Sequence, residues 1–210
     1  MEFFFEEKDA LQIATDLAEK GYYFQPNFLP ETAVNTIRAL ALQYFQNGEM
    51  HRAGVGKMHL HQVNSAVRGD WVHWIDNKSE ELPELQYFFA KIDVLIMLVR
   101  RYCFLAIKDY ETHFAIYPPN TFYKRHSDRF KLQQHRMLSF VCYLNPDWQE
   151  NQGGQLQLYL PDGSTQRINP QAGNFICFRS EIEHEVLMAH AHRYSITGWM
   201  LDQYKELTFL

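Results

Sequence analysis

The chain has 210 residues, of which 46% are hydrophobic and 15% aromatic, so it can bury a sizeable core as one large domain or two small ones. Its formal net charge of -5 provides no basic excess for phosphate contacts, and we expect no nucleic-acid partner. The most apolar run, residues 94–99, is far shorter than the roughly 20 residues that cross a membrane. No membrane partner is therefore expected.

The cysteines and the N-terminal stretch predict a cytoplasmic protein. Cys103, Cys142 and Cys177 are odd in number and lie in apolar runs, which is typical of buried thiols in a reducing compartment rather than of disulfides. The stretch MEFFFEEKD has neither the basic region nor the long apolar run of a signal peptide.

The first 110 residues predict mainly helices. Apolar residues recur at helical spacing in three segments, a short strand is expected at residues 22–24, and Pro30 is placed to open the second helix. Residues 53–76, with glycines and two tryptophans, predict a hairpin or mobile loop in which Arg68-Gly69-Asp70 is a turn. The helical stripes are Ala10, Leu11, Ala14, Leu17 and Ala18; Val34, Ile37, Ala41, Tyr44 and Phe45; and Leu85, Phe88, Phe89, Ile92, Leu95, Ile96, Val99, Tyr102 and Cys103.

The last 100 residues predict mainly strands. Short alternating apolar runs are separated by turn residues, and seven or more such runs favour a β-sandwich or barrel. No linker-like segment divides the chain, so we expect one α+β, mostly β domain over residues 1–210, with a β-core at 111–210 braced by N-terminal helices. The candidate strands are residues 111–117, 121–126, 137–144, 155–160, 174–179, 184–188 and 193–200.

A candidate metal site begins at His126, which alone among the ten histidines is followed two residues later by a carboxylate, Asp128. In an extended segment such residues project to the same face and can reach one ion. His184, at the head of a later strand, supplies a third candidate ligand. Two imidazoles and one carboxylate leave open positions, as in non-haem Fe(II) oxygenases. On its own, His126-Ser127-Asp128 is also compatible with a polar turn.

Two further strands carry residues suited to a carboxylate ligand. In RYSITGWM, Arg193, Ser195, Thr197 and Trp199 face one way, and a guanidinium that faces a barrel interior needs an anionic partner. A dicarboxylate would supply that partner through a bidentate contact, although pairing with a surface acid is the alternative. Tyr143 can donate to the same ligand, or it is an ordinary core aromatic residue.

The residues from Tyr117 to Trp199 resemble the Fe(II)/2-oxoglutarate-dependent oxygenases, and within them the oxygen-sensing type of prolyl hydroxylase and its bacterial relatives. The matching stretches are YPPNTFYKRHSD, RMLSFVCYLNPDW, GGQLQLY, INPQAGNFICF, HEV and RYSITGW. The resemblance implies a double-stranded β-helix, which is a cupin-like jelly roll, as the core.

The resemblance also implies a role for each matching residue. His126, Asp128 and His184 would be the catalytic metal ligands. Arg193 would bind the distal carboxylate of 2-oxoglutarate, with Tyr143, Thr197, Leu156 and Tyr117 around the cosubstrate. Arg136 would lie near the substrate entrance, and Trp199 would form a wall of the substrate pocket.

The implied function is hydroxylation of a prolyl residue of a cytosolic protein. Fe(II), 2-oxoglutarate and dioxygen would be required, with ascorbate as reductant and succinate and CO2 as products. Residues 53–76 would be the flap over a peptide. The alternatives are the same chemistry on a small molecule or free amino acid, and a cupin-like protein that binds a metal or ligand without turnover.

Two features depart from the family pattern, and two further histidine pairs were weighed as metal sites. Residues 129–135 lack the Asn/Gly-rich loop of the animal enzymes, and the turn at residues 118–121 is one residue shorter, which leaves the substrate open. The pairs His59/His61 and His190/His192 have no carboxylate at matching spacing and are interpreted as surface residues.

Overall fold

The computed structural model describes residues 7–54, 64–76, 83–129 and 134–204. No helix in these ranges is long and apolar enough to cross a membrane. The helices are α1 (Glu7–Glu19), α2 (Glu31–Gln46) and α3 (Pro83–Tyr102), with a 3-10 turn at Glu150–Gln152. The strands are β1 (Tyr22–Gln25), β2 (His51–Arg52), β3 (Trp71–Ile75), β4 (Asp109–Tyr117), β5 (Thr121–His126), β6 (Arg136–Tyr143), β7 (Leu156–Tyr159), β8 (Thr165–Ile168), β9 (Phe175–Arg179), β10 (Glu183–Ala189) and β11 (Arg193–Leu201).

The strands form two antiparallel sheets. The larger sheet has the order β1-β9-β6-β11-β4-β3-β2, and the smaller has the order β5-β10-β7-β8. Apart from β2-β3-β4 and β7-β8, neighbours in the two sheets are not consecutive in sequence, so the chain crosses repeatedly between the sheets, as in a jelly roll. The predicted fold class, a mostly β jelly-roll core braced by N-terminal helices, is confirmed.

Strand alternation divides the core into two layers. On β4, β6 and β11, one set of residues packs with the helices; it includes Phe114, Phe140 and Ile196. The alternate residues, such as Ala115 and Val141, pack against Leu158 and its neighbours on the smaller sheet. The helices therefore cover one face of the larger sheet, and its other face is left to line the space between the sheets.

The predicted helices and strands are found within a few residues of their expected bounds. α2 begins directly after Pro30, whose extended backbone caps it. Residues 53–76 contain a real strand, β3, which pairs with β4. Residues 55–63 of the expected flap, which include His59 and His61, lie outside the described residues. So do residues 130–133, which belong to the segment 129–135 that differs from the animal enzymes.

Two strands were not predicted, β8 and the two-residue β2. β8 has the sequence TQRI, of which only Ile168 is buried, and it forms the edge of the smaller sheet. An edge strand with one apolar side chain has no alternation for a sequence pattern to detect.

Candidate active site

The structure brings His126, Asp128 and His184 together between the two sheets. His126 ends β5 and lies directly opposite His184 of β10 in the antiparallel ladder. Nε2 of His126 is 3.6 Å from Oδ1 of Asp128, and Nε2 of His184 is 3.5 Å from Oδ2 of the same carboxylate. One ligand atom from each residue lies within 4.8 Å of the other two. Three donors can therefore meet at one point.

Hydrogen bonds aim the two imidazoles. Nδ1 of His126 contacts the carbonyl of Lys124 at 2.7 Å, and Nδ1 of His184 contacts the carbonyl of Ile182 at 3.0 Å. A carbonyl only accepts, so each Nδ1 carries the proton and each Nε2 keeps a free lone pair for a metal. Glu183 and Glu185 flank His184 on β10, so their side chains project to the opposite face of the strand. They contact Arg125 and Tyr159, respectively.

The third ligand is also held in place. Asp128 accepts a hydrogen bond from the hydroxyl of Ser139 at 2.7 Å, and that hydroxyl lies 2.9 Å from the hydroxyl of Ser180. The backbone N–H of Asp128 donates to the Ser180 carbonyl at 3.0 Å. These contacts hold the loop and orient the carboxylate plane, while the carboxylate oxygens keep lone pairs that can bind a metal.

The charges suit a divalent cation. Burial alone would raise the pKa of Asp128, but the neighbouring His184, His126 and Arg136 hold that pKa well below its usual range. Burial lowers the pKa of His184 to about 4. Asp128 is thus an anion and His184 is neutral near pH 7, which are the forms that bind metals. Two imidazole nitrogens and one carboxylate with open space beside them fit Fe(II).

The described residues leave Arg193 without an anionic partner. Its side chain is 4% exposed, Nε donates to the carbonyl of Gly154 at 2.8 Å, and Nη1 donates to the hydroxyl of Ser195 at 3.2 Å. No carboxylate in the described ranges forms an ion pair with it. A buried guanidinium that meets only neutral acceptors favours an anionic ligand.

Tyr143 and Tyr117 flank this guanidinium. The Arg193 Cζ atom is 5.0 Å from the Tyr117 ring centroid and 5.1 Å from that of Tyr143. The Tyr143 hydroxyl is completely buried and has no hydrogen-bond partner within the described residues. Burial raises the pKa of Tyr143 to about 12 and also raises that of Tyr117, so both phenols are neutral. An unpartnered O–H donor beside an unpaired guanidinium fits a carboxylate of 2-oxoglutarate.

One cavity of about 250 Å³ connects the metal ligands with Arg193. Leu156 and Thr197 line it, together with Tyr117. Leu156 is buried at the start of β7, where it pairs with Val186. The predicted cosubstrate residues therefore surround a single space, which Tyr143 adjoins through the same apolar layer.

The predicted substrate residues Arg136 and Trp199 line the other end of this cavity. The Arg136 guanidinium lies 3.5 Å from the Trp199 ring centroid, and Nη2 of Arg136 donates to Glu111 at 2.8 Å. Arg136 is thus already neutralised, in contrast to Arg193.

Known proteins are similar to this chain in sequence and fold. Residues 112–201 match the family model of the 2OG-Fe(II) oxygenase superfamily. The chain is 30% identical to mouse prolyl hydroxylase EGLN3 over 215 aligned residues, which cover 93% of this chain and 85% of the relative. The chain belongs to the prolyl hydroxylase-type 2-oxoglutarate and Fe(II) oxygenases.

Two solved structures of this family are similar over nearly the whole chain. A prolyl-4-hydroxylase of Pseudomonas putida is 38% identical with a TM-score of 0.83, and the match covers 91% of this chain and 98% of that one. A Trichoplax adhaerens prolyl hydroxylase in complex with a hypoxia inducible factor oxygen degradation domain peptide is 28% identical, with a TM-score of 0.84 and coverage of 93% and 90%. The resemblance found in the sequence is confirmed.

Arg68 and Asp70 line the site of this oxygenase, although the sequence pattern indicated only a turn. Asp70 is 1% exposed and accepts a hydrogen bond from Nε of Arg68 at 2.8 Å. The Arg68 guanidinium lies 4.3 Å from the ring centroid of Tyr123, which stacks on His126 at 3.6 Å. The turn interpretation was incomplete: the same tripeptide carries an ion pair with a buried carboxylate, and this pair lies behind a predicted metal ligand.

Asn145 supports the oxygenase site from outside the cavity lining, and the sequence did not reveal this role. Its Nδ2 donates to the carbonyls of Pro170 at 2.6 Å and Tyr194 at 3.1 Å, and its Oδ1 accepts from the Tyr194 N–H at 2.7 Å. It thereby holds the start of β11 beside Arg193. The only sequence signal was the asparagine of the YLN stretch.

Proposed function

We propose that this protein hydroxylates a prolyl residue within a protein or peptide, using Fe(II), 2-oxoglutarate and dioxygen. The observation that carries the proposal is that one cavity contains both the His126, Asp128 and His184 group and the unpaired Arg193. The whole chain would act as one domain, with residues 111–210 as the catalytic core.

The two imidazoles and the carboxylate would hold the iron through Nε2 of His126 and His184 and one oxygen of Asp128. The bound iron and cosubstrate would supply oxidative decarboxylation to succinate and CO2, with one oxygen atom of dioxygen going to succinate and the other to the substrate hydroxyl. The chain's own task is orientation: backbone carbonyls hold both imidazoles, and Ser139 holds the carboxylate.

Arg193 would bind the distal carboxylate of 2-oxoglutarate, assisted by the neutral Tyr143 hydroxyl and by Thr197. Leu156 and Tyr117 would pack along the carbon chain and exclude water. Burial of the guanidinium strengthens its attraction for the carboxylate because the local dielectric constant is low. Together these contacts would set the distance between the cosubstrate and the metal.

The charges at the other end of the cavity favour a peptide over a free amino acid. Arg136 is paired with Glu111, and Arg68 is paired with Asp70. A free amino acid would bring a carboxylate that neither guanidinium is available to neutralise, whereas a peptide backbone is uncharged. Arg136 and Trp199 would form the peptide-facing wall.

Two finer points belong to the proposal. Cys103, Cys142 and Cys177 are free thiols, which is consistent with action in the reducing cytoplasm. Ascorbate would serve as the reductant that keeps the iron in the ferrous state.

Purified protein should be loaded with Fe(II) and incubated with 2-oxoglutarate, with and without ascorbate, and with synthetic peptides that contain one proline. We expect succinate to form and a peptide to gain the mass of one oxygen atom on its proline. Asp128→Ala is the matched negative control. Hydroxylation of free proline but of no peptide would support the small-molecule alternative, and metal binding without any turnover would support a non-catalytic protein.

A further inference from the structure

Three aromatic rings form a cluster at the substrate end of the cavity. Trp74 of β3, His113 of β4 and Trp199 of β11 come from three neighbouring strands. The His113 ring centroid lies 4.9 Å from that of Trp74 and 5.2 Å from that of Trp199, at 28° to the latter. The Trp74 and Trp199 ring centroids are 6.1 Å apart, so the three rings contact one another as a triangular cluster. Trp74 is 54% exposed and His113 is 3% exposed, so this cluster reaches from the surface to the cavity wall.

Two polar atoms of this cluster have no hydrogen-bond partner within the described residues. They are Nδ1 of His113 and Nε1 of Trp199, and both are buried. Buried polar atoms in native proteins are nearly always paired, so each exception needs an explanation, such as a functional role or a partner that the chain does not supply. The two atoms belong to adjacent rings that line the same cavity.

The chemistry of the two atoms matches a peptide backbone. Trp199 Nε1 can only donate, so it suits a backbone carbonyl. Burial lowers the pKa of His113 to about 3, so its ring is neutral near pH 7 and Nδ1 can accept from a backbone N–H. A charged group is not suited to this position, because the nearby Arg136 and Arg68 are already paired with Glu111 and Asp70.

We propose that His113 is a substrate-binding residue that, together with Trp199, hydrogen-bonds the peptide backbone beside the target proline. Proline itself has no backbone N–H, so the N–H that His113 accepts comes from a residue flanking the proline. This inference rests on the proposed function, since it names how that site recognises its substrate.

The variants His113→Leu, His113→Asn and His113→Gln separate this role from simple packing. Asn places a side-chain amide where His has Nδ1, Gln places it nearer to Nε2, and Leu keeps volume without polar atoms. The exposed His51 on β2, substituted as His51→Leu, is the matched control. The probe is the peptide that the wild-type enzyme hydroxylates best in a synthetic library with one fixed proline and randomised neighbours.

We expect His113→Leu to raise the peptide KM roughly tenfold, with a much smaller change in kcat and in the KM for 2-oxoglutarate. His113→Asn should recover most of the loss, His113→Gln should not, and His51→Leu should match the wild type. An unchanged peptide KM in His113→Leu would overturn the inference. Parallel rises in the KM for peptide and for 2-oxoglutarate would also overturn it, since they indicate general damage to the fold.

An altered substrate gives a second, independent measurement. In the probe peptide, the amide that precedes or follows the X–Pro unit is replaced in turn by an ester, which removes one N–H. One of these esters should raise the KM of the wild-type enzyme about as much as His113→Leu raises the KM for the unmodified peptide. The same ester should cause little further rise in KM when the His113→Leu variant is assayed with it. Additive effects would overturn the inference. If the wild-type enzyme hydroxylates no peptide at all, the proposed function fails as well, so the two failures are distinguishable.

Discussion

The carbonyl oxygen of Gly154 accepts a hydrogen bond from Nε of Arg193 at 2.8 Å, and the glycine backbone lies in the left-handed region with φ +73°. A Cβ atom at position 154 would approach Cδ of Arg193 to 3.0 Å. The turn therefore needs glycine both for its backbone conformation and for the space that the arginine occupies.

Gly154→Ala should consequently displace Arg193 and raise the KM for 2-oxoglutarate roughly tenfold, while backbone strain lowers the free energy of unfolding by about 1–2 kcal/mol. Gly163→Ala is the matched control, because Gly163 has φ +86° but nothing within 4 Å of the added methyl group. It should show the same strain with an unchanged KM. Steady-state kinetics and urea unfolding measure both effects; equal KM values in the two variants would refute the coupling to Arg193.

Arg193→Lys keeps the positive charge but loses the planar fork that can hold a carboxylate by two hydrogen bonds. It should raise the KM for 2-oxoglutarate at least about tenfold, whereas the affinity for Fe(II) alone should stay close to that of the wild type. Succinate formation at increasing 2-oxoglutarate measures the first, and titration against a chelator measures the second. If the KM does not change, the assigned role of Arg193 is wrong.

Ser139→Ala removes the hydroxyl that donates to Asp128, without touching a predicted ligand. Because partners of this kind orient ligands and tune their basicity, we expect metal affinity to fall by roughly 10–100-fold. Ser164→Ala, in an exposed turn where the hydroxyl contacts only Asp162, is the control and should bind metal normally. Chelator competition with Fe(II) measures the difference, and equal affinities would show that Ser139 does not position the carboxylate.

The parts of the site that the sequence predicted depend on strand geometry. His126 and Asp128 were recognisable because residues two apart on an extended segment share a face. The alternation along β11 likewise separated Arg193, Thr197 and Trp199 from the core residues Tyr194, Ile196 and Met200. Period-2 patterns in the sequence are therefore sufficient to identify the residues on the inner face of the jelly roll.

The unpredicted parts depend on contacts between segments distant in sequence. The Asp70 carboxylate and most of Arg68 are shielded from solvent because their segment packs on β5. There the Gly69 N–H donates to the Phe122 carbonyl, and the Lys124 N–H donates to the Val67 carbonyl. His113 had no identifiable partner because Trp74 and Trp199 reach it only across the β-sheet. Single-sequence patterns do not encode such pairings unless the strand order is known.

His113 also predicts how stability depends on pH. Burial lowers its pKa from 6.5 to about 3, so the unfolded chain binds this proton below pH 6.5 while the folded chain does not until near pH 3. The free energy of unfolding must therefore fall as the pH falls through this window. Between pH 7 and pH 5 this group alone should remove about 2 kcal/mol.

The metal-free His113→Leu variant lacks this group, so it should lose less stability than the wild type between pH 7 and pH 5, by about 2 kcal/mol. The buried His184 titrates in both proteins, so its contribution cancels in the comparison. Urea unfolding at the two pH values measures the loss of stability in each protein. The control His51→Leu replaces an exposed residue on β2 and should follow the wild type. Identical losses in His113→Leu and the wild type would mean that His113 is protonated in the folded protein. Such a proton would also prevent Nδ1 from accepting a hydrogen bond, so this measurement bears directly on peptide recognition by the His113 and Trp199 pair.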